Sequence, residues 1–319
     1  MKTSVRAALA GALACGVLTT VTVVGRPDGS PEPDPPSGPY VALGDSYTAG
    51  PEIPGQTGSP AGCDRSDRNY PALVARRLGL TAADFRDLSC SGATVADLTA
   101  AQPTDRGTNP AQLSALSART RLVTLGMGGN DIGFASLVKT CVKSGVLNFA
   151  LSGLKDVKDL KDLKDLKADG GDAPCKDRYV SDGADEVQQR IETADARLAR
   201  ALADVRRRAP KARVYVVGYP AILPAHTTGC GREMGLAAGD VTYLHDKERQ
   251  LNGMLRERAE KAGVDYVDTY TPSVGRDACA DHRVRWIEPL VPRAPAASVH
   301  PNERGEQGMA DAVLKTLGA

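Results

Sequence analysis

Aromatic residues are scarce, making up 4% of the 319-residue chain, with one tryptophan and three phenylalanines. A core has to be built mainly from Ala, Val and Leu, within a hydrophobic share of 41%. No long basic run is interleaved with aromatic rings, and 40 basic against 39 acidic residues leave a net charge of only +1. That balance offers no track for a phosphate backbone and argues against a nucleic-acid partner. Histidine is limited to four residues, and neither Cys-x-x-Cys nor His-Glu-x-x-His occurs, so the common zinc patterns are missing. A dinucleotide loop is missing too, because Asp131 stands where the run from Gly126-Met127-Gly128 would need the last glycine of Gly-x-Gly-x-x-Gly. No metal and no cofactor is expected.

The N-terminus reads as an export signal. Lys2 and Arg6 precede an apolar run from Ala7 to Val24, closed by Gly25. Residues 1–25 are expected to be a signal peptide, 26–38 a flexible proline-rich leader, and 39–319 one domain, since about 280 residues are ample for a single α/β unit. The product is then extracellular. The alternative is a chain anchored to the membrane through an uncleaved N-terminal segment. Export accounts for six of the cysteines, Cys63, Cys90, Cys141, Cys175, Cys230 and Cys279. An even number in an oxidising compartment argues for disulfides, with the pairing open at this point.

Short β-rich runs near Tyr40–Leu43, Phe85–Leu88, Leu122–Leu125, Arg213–Val217 and Val264–Val267 alternate with helical patterns. That alternation predicts a parallel sheet with helices on both faces. Helices are predicted over 70–78, 110–118, 182–208, 240–262 and 302–317. In the third of these, Val187, Ile191, Ala194, Leu198, Ala201, Leu202 and Val205 recur at helical spacing and mark a buried stripe. From Leu154 to Lys167 the chain repeats Lys-Asp-apolar with a period of three, which walks the apolar positions around a helix and gives no narrow stripe. The plain reading is a low-complexity insertion over about 154–167. A lipid-contacting arm is the functional reading, since Val146, Leu147 and Phe149 precede it.

Four blocks carry chemistry. Gly44-Asp45-Ser46-Tyr47 closes the apolar run from Tyr40, and a strand end of this kind is where α/β sheets place reactive groups. Asp87-Leu88-Ser89-Cys90-Ser91-Gly92 ends a second strand in small residues. Val123 to Asp131 closes a third on glycines and Asn130, and His300-Pro301 opens a C-terminal helical segment. In this order the blocks resemble the SGNH, or GDSL-type, hydrolase family over roughly residues 38–319. Within it, the cysteine-rich secreted actinomycete lipases, esterases and phospholipases look nearest.

The resemblance implies a flavodoxin-like three-layer α/β/α fold with a five-stranded parallel sheet, Ser46 as nucleophile and His300 as base. It also implies an oxyanion hole from the Ser46 N–H, the Gly92 N–H and the Asn130 side chain, and disulfides Cys63–Cys90, Cys141–Cys175 and Cys230–Cys279. The chemistry agrees: a hydroxyl needs a base to attack a carbonyl, and preorganised donors to hold the oxyanion. One departure stands out. Many members carry an acid three residues before the histidine, where this chain has Ala297, and no Asp or Glu occurs between Glu288 and His300. A backbone carbonyl of Ala297 or Ser298 is the first candidate to orient the imidazole, and a remote Asp277 or Asp281 the second.

Other residues have plainer readings. Asp45 and Asp131 are expected to position loops through backbone N–H groups. His226, His245 and His282 are read as solvent or polar-network residues, and Trp286 either lines the acyl pocket or packs beneath the following loop. The expected activity is that of a serine ester hydrolase acting on lipid-like esters, of lipase, esterase or phospholipase A type. Its partner would be a small-molecule or lipid ester, with transient contact to a lipid interface and a monomeric state. The alternatives are a carbohydrate O-deacetylase and, from another class, a non-catalytic extracellular binding protein on the same fold.

Overall fold

Period-two alternation of apolar side chains along the strands builds the molecule. In the computed structural model, which describes residues 38–154, 171–225 and 230–319, the strands are β1 (Tyr40–Gly44), β2 (Phe85–Asp87), β3 (Leu122–Gly126), β4 (Arg213–Val217) and β5 (Asp265–Val267). All pair in parallel, in the order 2-1-3-4-5. Val41, Leu43, Val123, Leu125, Val214 and Val216 point to one layer, together with Val187, Ile191 and Leu198. Tyr40, Ala42, Leu122, Tyr215 and Val217 point to the other, with Tyr70, Val74, Met309 and Val313. Strands buried on both faces require helices on both faces.

The helices that matter are α1 (Ser46–Ala49), α2 (Tyr70–Arg77), α3 (Phe134–Leu154), α4 (Glu186–Arg208), α5 (Ala238–Ala262) and α6 (Glu303–Leu317). Two predicted helices differ. Residues 110–118 hold only a 3₁₀ turn, Gln112–Ala115, because Gln112 turns inward and exchanges two hydrogen bonds with the Gly44 backbone. The helix predicted from 182 starts at Glu186, since Val180–Ser181 pairs with Ala184–Asp185 in a hairpin and the Asp185 side chain caps the Val187 and Gln188 N–H groups. Helix α3, 21 residues long, was not anticipated. Its buried Leu137, Val138 and Cys141 are offset by exposed Val146, Leu147 and Phe149, so no apolar stripe announces it.

Disulfides join Cys63 to Cys90, Cys141 to Cys175 and Cys230 to Cys279. The expected signal and leader as far as residue 37, the Lys-Asp repeat from residue 155 and His226 lie outside the described residues. Among the described residues, no helix is long and apolar enough to cross a membrane.

Candidate active site

The sheet order changes direction between β1 and β3, whose carboxyl ends form the crevice where open α/β sheets bind ligands. Gly44 and Gly126 end these strands side by side in register. A Cβ on Gly44 would stand 2.8 Å from the Gly126 carbonyl oxygen and 2.1 Å from Thr48 Oγ1, so the bare backbone lets the first turn of α1 close over the strand end. Asp45 caps that turn through the Tyr47 N–H. Ser46 follows as the first helical residue, with an N–H that has no intrahelical acceptor.

His300 reaches Ser46 from the far end of the chain. Its Nε2 lies 2.8 Å from Ser46 Oγ and its Nδ1 lies 2.8 Å from the Ser298 carbonyl oxygen. A carbonyl only accepts, so Nδ1 carries the proton and Nε2 is left bare to accept from the serine hydroxyl. Burial pushes the imidazole below its ordinary pKa, with the Ser298 carbonyl partly opposing. Of the two candidate carbonyls, that of Ser298 meets Nδ1, while that of Ala297 instead takes the backbone N–H of His300. Neither Asp rival serves. Asp277 caps the Cys279 N–H, and Asp281 pairs with Arg283.

Surrounding contacts hold this pair. Tyr47 donates its hydroxyl to the Val299 carbonyl at 2.6 Å, and its ring lies 4.9 Å from the His300 ring. The Tyr219 hydroxyl donates to Asp45 Oδ2 at 2.5 Å and accepts from the Gly129 N–H at 2.8 Å, tying the serine turn to the loop after β3. Burial pushes the Asp45 carboxyl up to about 7. Asp131 accepts from the Val95 N–H. Buried Glu288 takes the Arg293 and Ala294 N–H groups and the Asn302 amide, which folds the loop leading to His300. Sequence reading missed Tyr47, Gln112, Tyr219 and Glu288, because only folding brings their partners close.

A cavity of about 660 Å³ opens above Ser46, lined by Ser46, Asn130, Ser298 and His300 among polar groups, and by Phe134, Val138, Val142, Ile222, Leu251 and Leu290 among apolar ones. Asn130 Nδ2 donates one hydrogen to the Ala93 carbonyl at 3.0 Å, which leaves its second for a ligand. Gly92 is not in the lining. It sits at φ 78° in the adjoining loop, and its N–H has no acceptor among the described residues. Trp286 does not line the cavity either. It is buried against α6, where a Cβ on Gly308 would meet its ring at 2.1 Å. His245 is a buried network residue on the Tyr270 hydroxyl, and exposed His282 stands beside Asp281. No cluster of three or more metal-binding side chains occurs among the described residues.

Residues 42–307 match the GDSL-like Lipase/Acylhydrolase family. The chain is similar to Lipase 2 of Streptomyces coelicolor, with 39% identity over 98% of this chain and 95% of that protein. It is also similar to an esterase of Streptomyces scabiei, at 28% identity over 98% of this chain and 94% of that one. Among solved structures, phospholipase A1 from Streptomyces albidoflavus superposes with a TM-score of 0.67 at 28% identity, covering 88% of this chain and 98% of that chain. An extracellular lipase from Streptomyces rimosus gives 0.65 at 26% identity, covering 88% and 100%.

Proposed function

Since the chain belongs to the GDSL-like lipase/acylhydrolase family and is a carboxylic ester hydrolase, we propose that it cleaves lipid-like esters with Ser46 as nucleophile and His300 as general base. The observation that carries this is the 2.8 Å approach of Ser46 Oγ to His300 Nε2, with Nδ1 held by Ser298. Ser46 Oγ bonds to the acyl carbon as His300 takes its proton. The oxyanion is held by the Ser46 N–H and the free Asn130 amide hydrogen, with the Gly92 N–H as a third donor. The C–O bond to the alcohol then breaks, and His300 hands its proton to the leaving oxygen. Water, deprotonated by His300, attacks the acyl-enzyme, releasing the carboxylic acid and restoring Ser46. The apolar walls of the cavity suit an acyl chain.

We propose further that the protein is an exported monomer, with residues 1–25 removed as a signal, in keeping with its disulfides and with the extracellular lipase it is similar to. Exposed Val146, Leu147 and Phe149 on α3, at 54%, 52% and 44%, suit transient contact with a lipid surface. The test is hydrolysis of p-nitrophenyl esters from acetate to palmitate by the oxidised protein, with Ser46→Ala and His300→Ala alongside. Each variant is expected to lose at least ~10³-fold in kcat while keeping its thermal midpoint. A fluorophosphonate should label wild type at Ser46 and leave Ser46→Ala unlabelled. An active Ser46→Ala enzyme would refute the assignment.

A further inference from the structure

Two cations break the apolar lining of the cavity. Lys139 and Lys143 lie one turn apart on α3, both exposed and both lining the cavity. Neither pairs with a carboxylate among the described residues. Like charges at this spacing repel on a helix, so the fold gains nothing from having both on this face. The carboxyls lining the same cavity do not offset them. Asp45 and Glu248 are both buried, the first bonded to Tyr47 and Tyr219, the second taking the Ile222 N–H. Burial drives both toward the neutral acid, Asp45 to about 7 and Glu248 well above the carboxylate range.

Their exposure says which part of a substrate they meet. Phe134 and Val138 line the cavity from the same helix and are buried, whereas both lysines are exposed, so the lysines stand where the cavity opens to solvent. The carboxylate of a released acid forms at half-buried Ser46. A charge at the level of the lysines belongs to the portion of the substrate that leaves toward solvent. Neutral glycerides have no charge there, whereas a glycerophospholipid carries a phosphodiester a few bonds beyond the scissile ester. An ammonium on a flexible four-carbon stem suits a phosphate as a mobile point charge.

We propose that Lys139 and Lys143 form a phosphate subsite at the mouth of the ester cavity and make glycerophospholipids the preferred lipid class of this enzyme. This rests on the assignment of Ser46 as the nucleophile of the same cavity. The test compares dihexanoylphosphatidylglycerol with dihexanoylglycerol, both below their aggregation limits so that no lipid surface contributes. The readout is the ratio of their kcat/KM values for wild type, for Lys139→Gln/Lys143→Gln, and for Lys139→Arg/Lys143→Arg. The glutamine pair is expected to lower the phospholipid-to-glyceride ratio about 10-fold, the loss of one charge-assisted bond, mainly through KM, and the arginine pair to restore it. A ratio that does not move overturns the proposal. Should inorganic phosphate slow p-nitrophenyl butyrate hydrolysis while that ratio stays fixed, the site takes free phosphate and the headgroup assignment falls. Wild-type protein inert toward all three esters would instead overturn the nucleophile assignment, and the subsite with it.

Discussion

Val299, the residue before His300, holds a φ of 60°, a region that β-branched side chains avoid at a cost of about 1–3 kcal/mol. Contacts on both sides keep it there. Its N–H donates to the Glu288 carbonyl at 3.0 Å, and its carbonyl accepts the Tyr47 hydroxyl at 2.6 Å. Tyr47 therefore positions His300 as well as flanking it. Tyr47→Phe should lower stability by about 1 kcal/mol and kcat about 5–10-fold, with KM within about twofold, because the imidazole is less well placed. Steady-state kinetics on p-nitrophenyl butyrate and a thermal melt check this. A second consequence concerns pH. The proposed base works only when neutral, and burial lowers its pKa, so the acid limb of kcat/KM should fall below about 6.5. An acid limb at or above that value would contradict the burial seen around His300. The same depression removes stability as pH falls below about 6.5, because the unfolded chain binds that proton more readily.

At the scale of elements, the carboxyl end of β1 is held by side chains from distant segments. Gln112 accepts from the Gly44 N–H and donates to the Gly44 carbonyl, both at 2.9 Å in the buried interior. This amide supplies the Gly44 N–H with an acceptor where β1–β2 pairing has stopped at Ala42–Asp87, and it shares the Gly44 carbonyl with the Cys90 N–H. Gln112→Ala would strand the buried Gly44 N–H two residues before Ser46, while the Gly44 carbonyl keeps the Cys90 N–H. A loss of about 1–3 kcal/mol is expected, read from urea unfolding at constant m, together with reduced kcat. Tyr219 plays a comparable part between β1 and β3, since one hydroxyl serves both the Asp45 turn and the Gly129 N–H.

For the molecule as a whole, the cross-links lie around the site. Cys63–Cys90 joins the segment before α2 to the loop carrying Gly92, and Cys141–Cys175 anchors α3, one wall of the cavity. The latter closes a separation of 34 residues, for which loop entropy gives about 3–4 kcal/mol. Cys141→Ala/Cys175→Ala should lower stability by that order, measured by denaturant melts without reductant. It should also cost more activity on long-chain than on acetyl esters, because the wall that lines the acyl path is loosened. Equal losses across chain lengths would mean that α3 keeps its place without the tether.

The parallel α/β architecture was legible in the sequence because strands buried on both faces must be continuously apolar, and because glycines closed β1 and β3 where the chain turns tightly. Ser46 and His300, which the fold brings within 2.8 Å, stood out as candidates for a related reason: each sits in a local block whose residue types are set by the turn that presents it. The helix over 110–118 failed because Gln112 has its partner 68 residues away, and α3 was missed because exposed Val146, Leu147 and Phe149 blur its apolar stripe. The choice of Ser298 over Ala297 was equally beyond local pattern, since both carbonyls precede His300 and only the loop folded by Glu288 and Tyr47 turns one of them toward Nδ1. Local chemistry along the chain thus settled the layers and marked Ser46 and His300 as the candidates for nucleophile and base. Packing of segments up to 254 residues apart settled the tautomer of His300, the walls of the cavity and the pair of lysines at its mouth, because hydrogen-bond direction and burial depend on neighbours that exist only once the chain has folded.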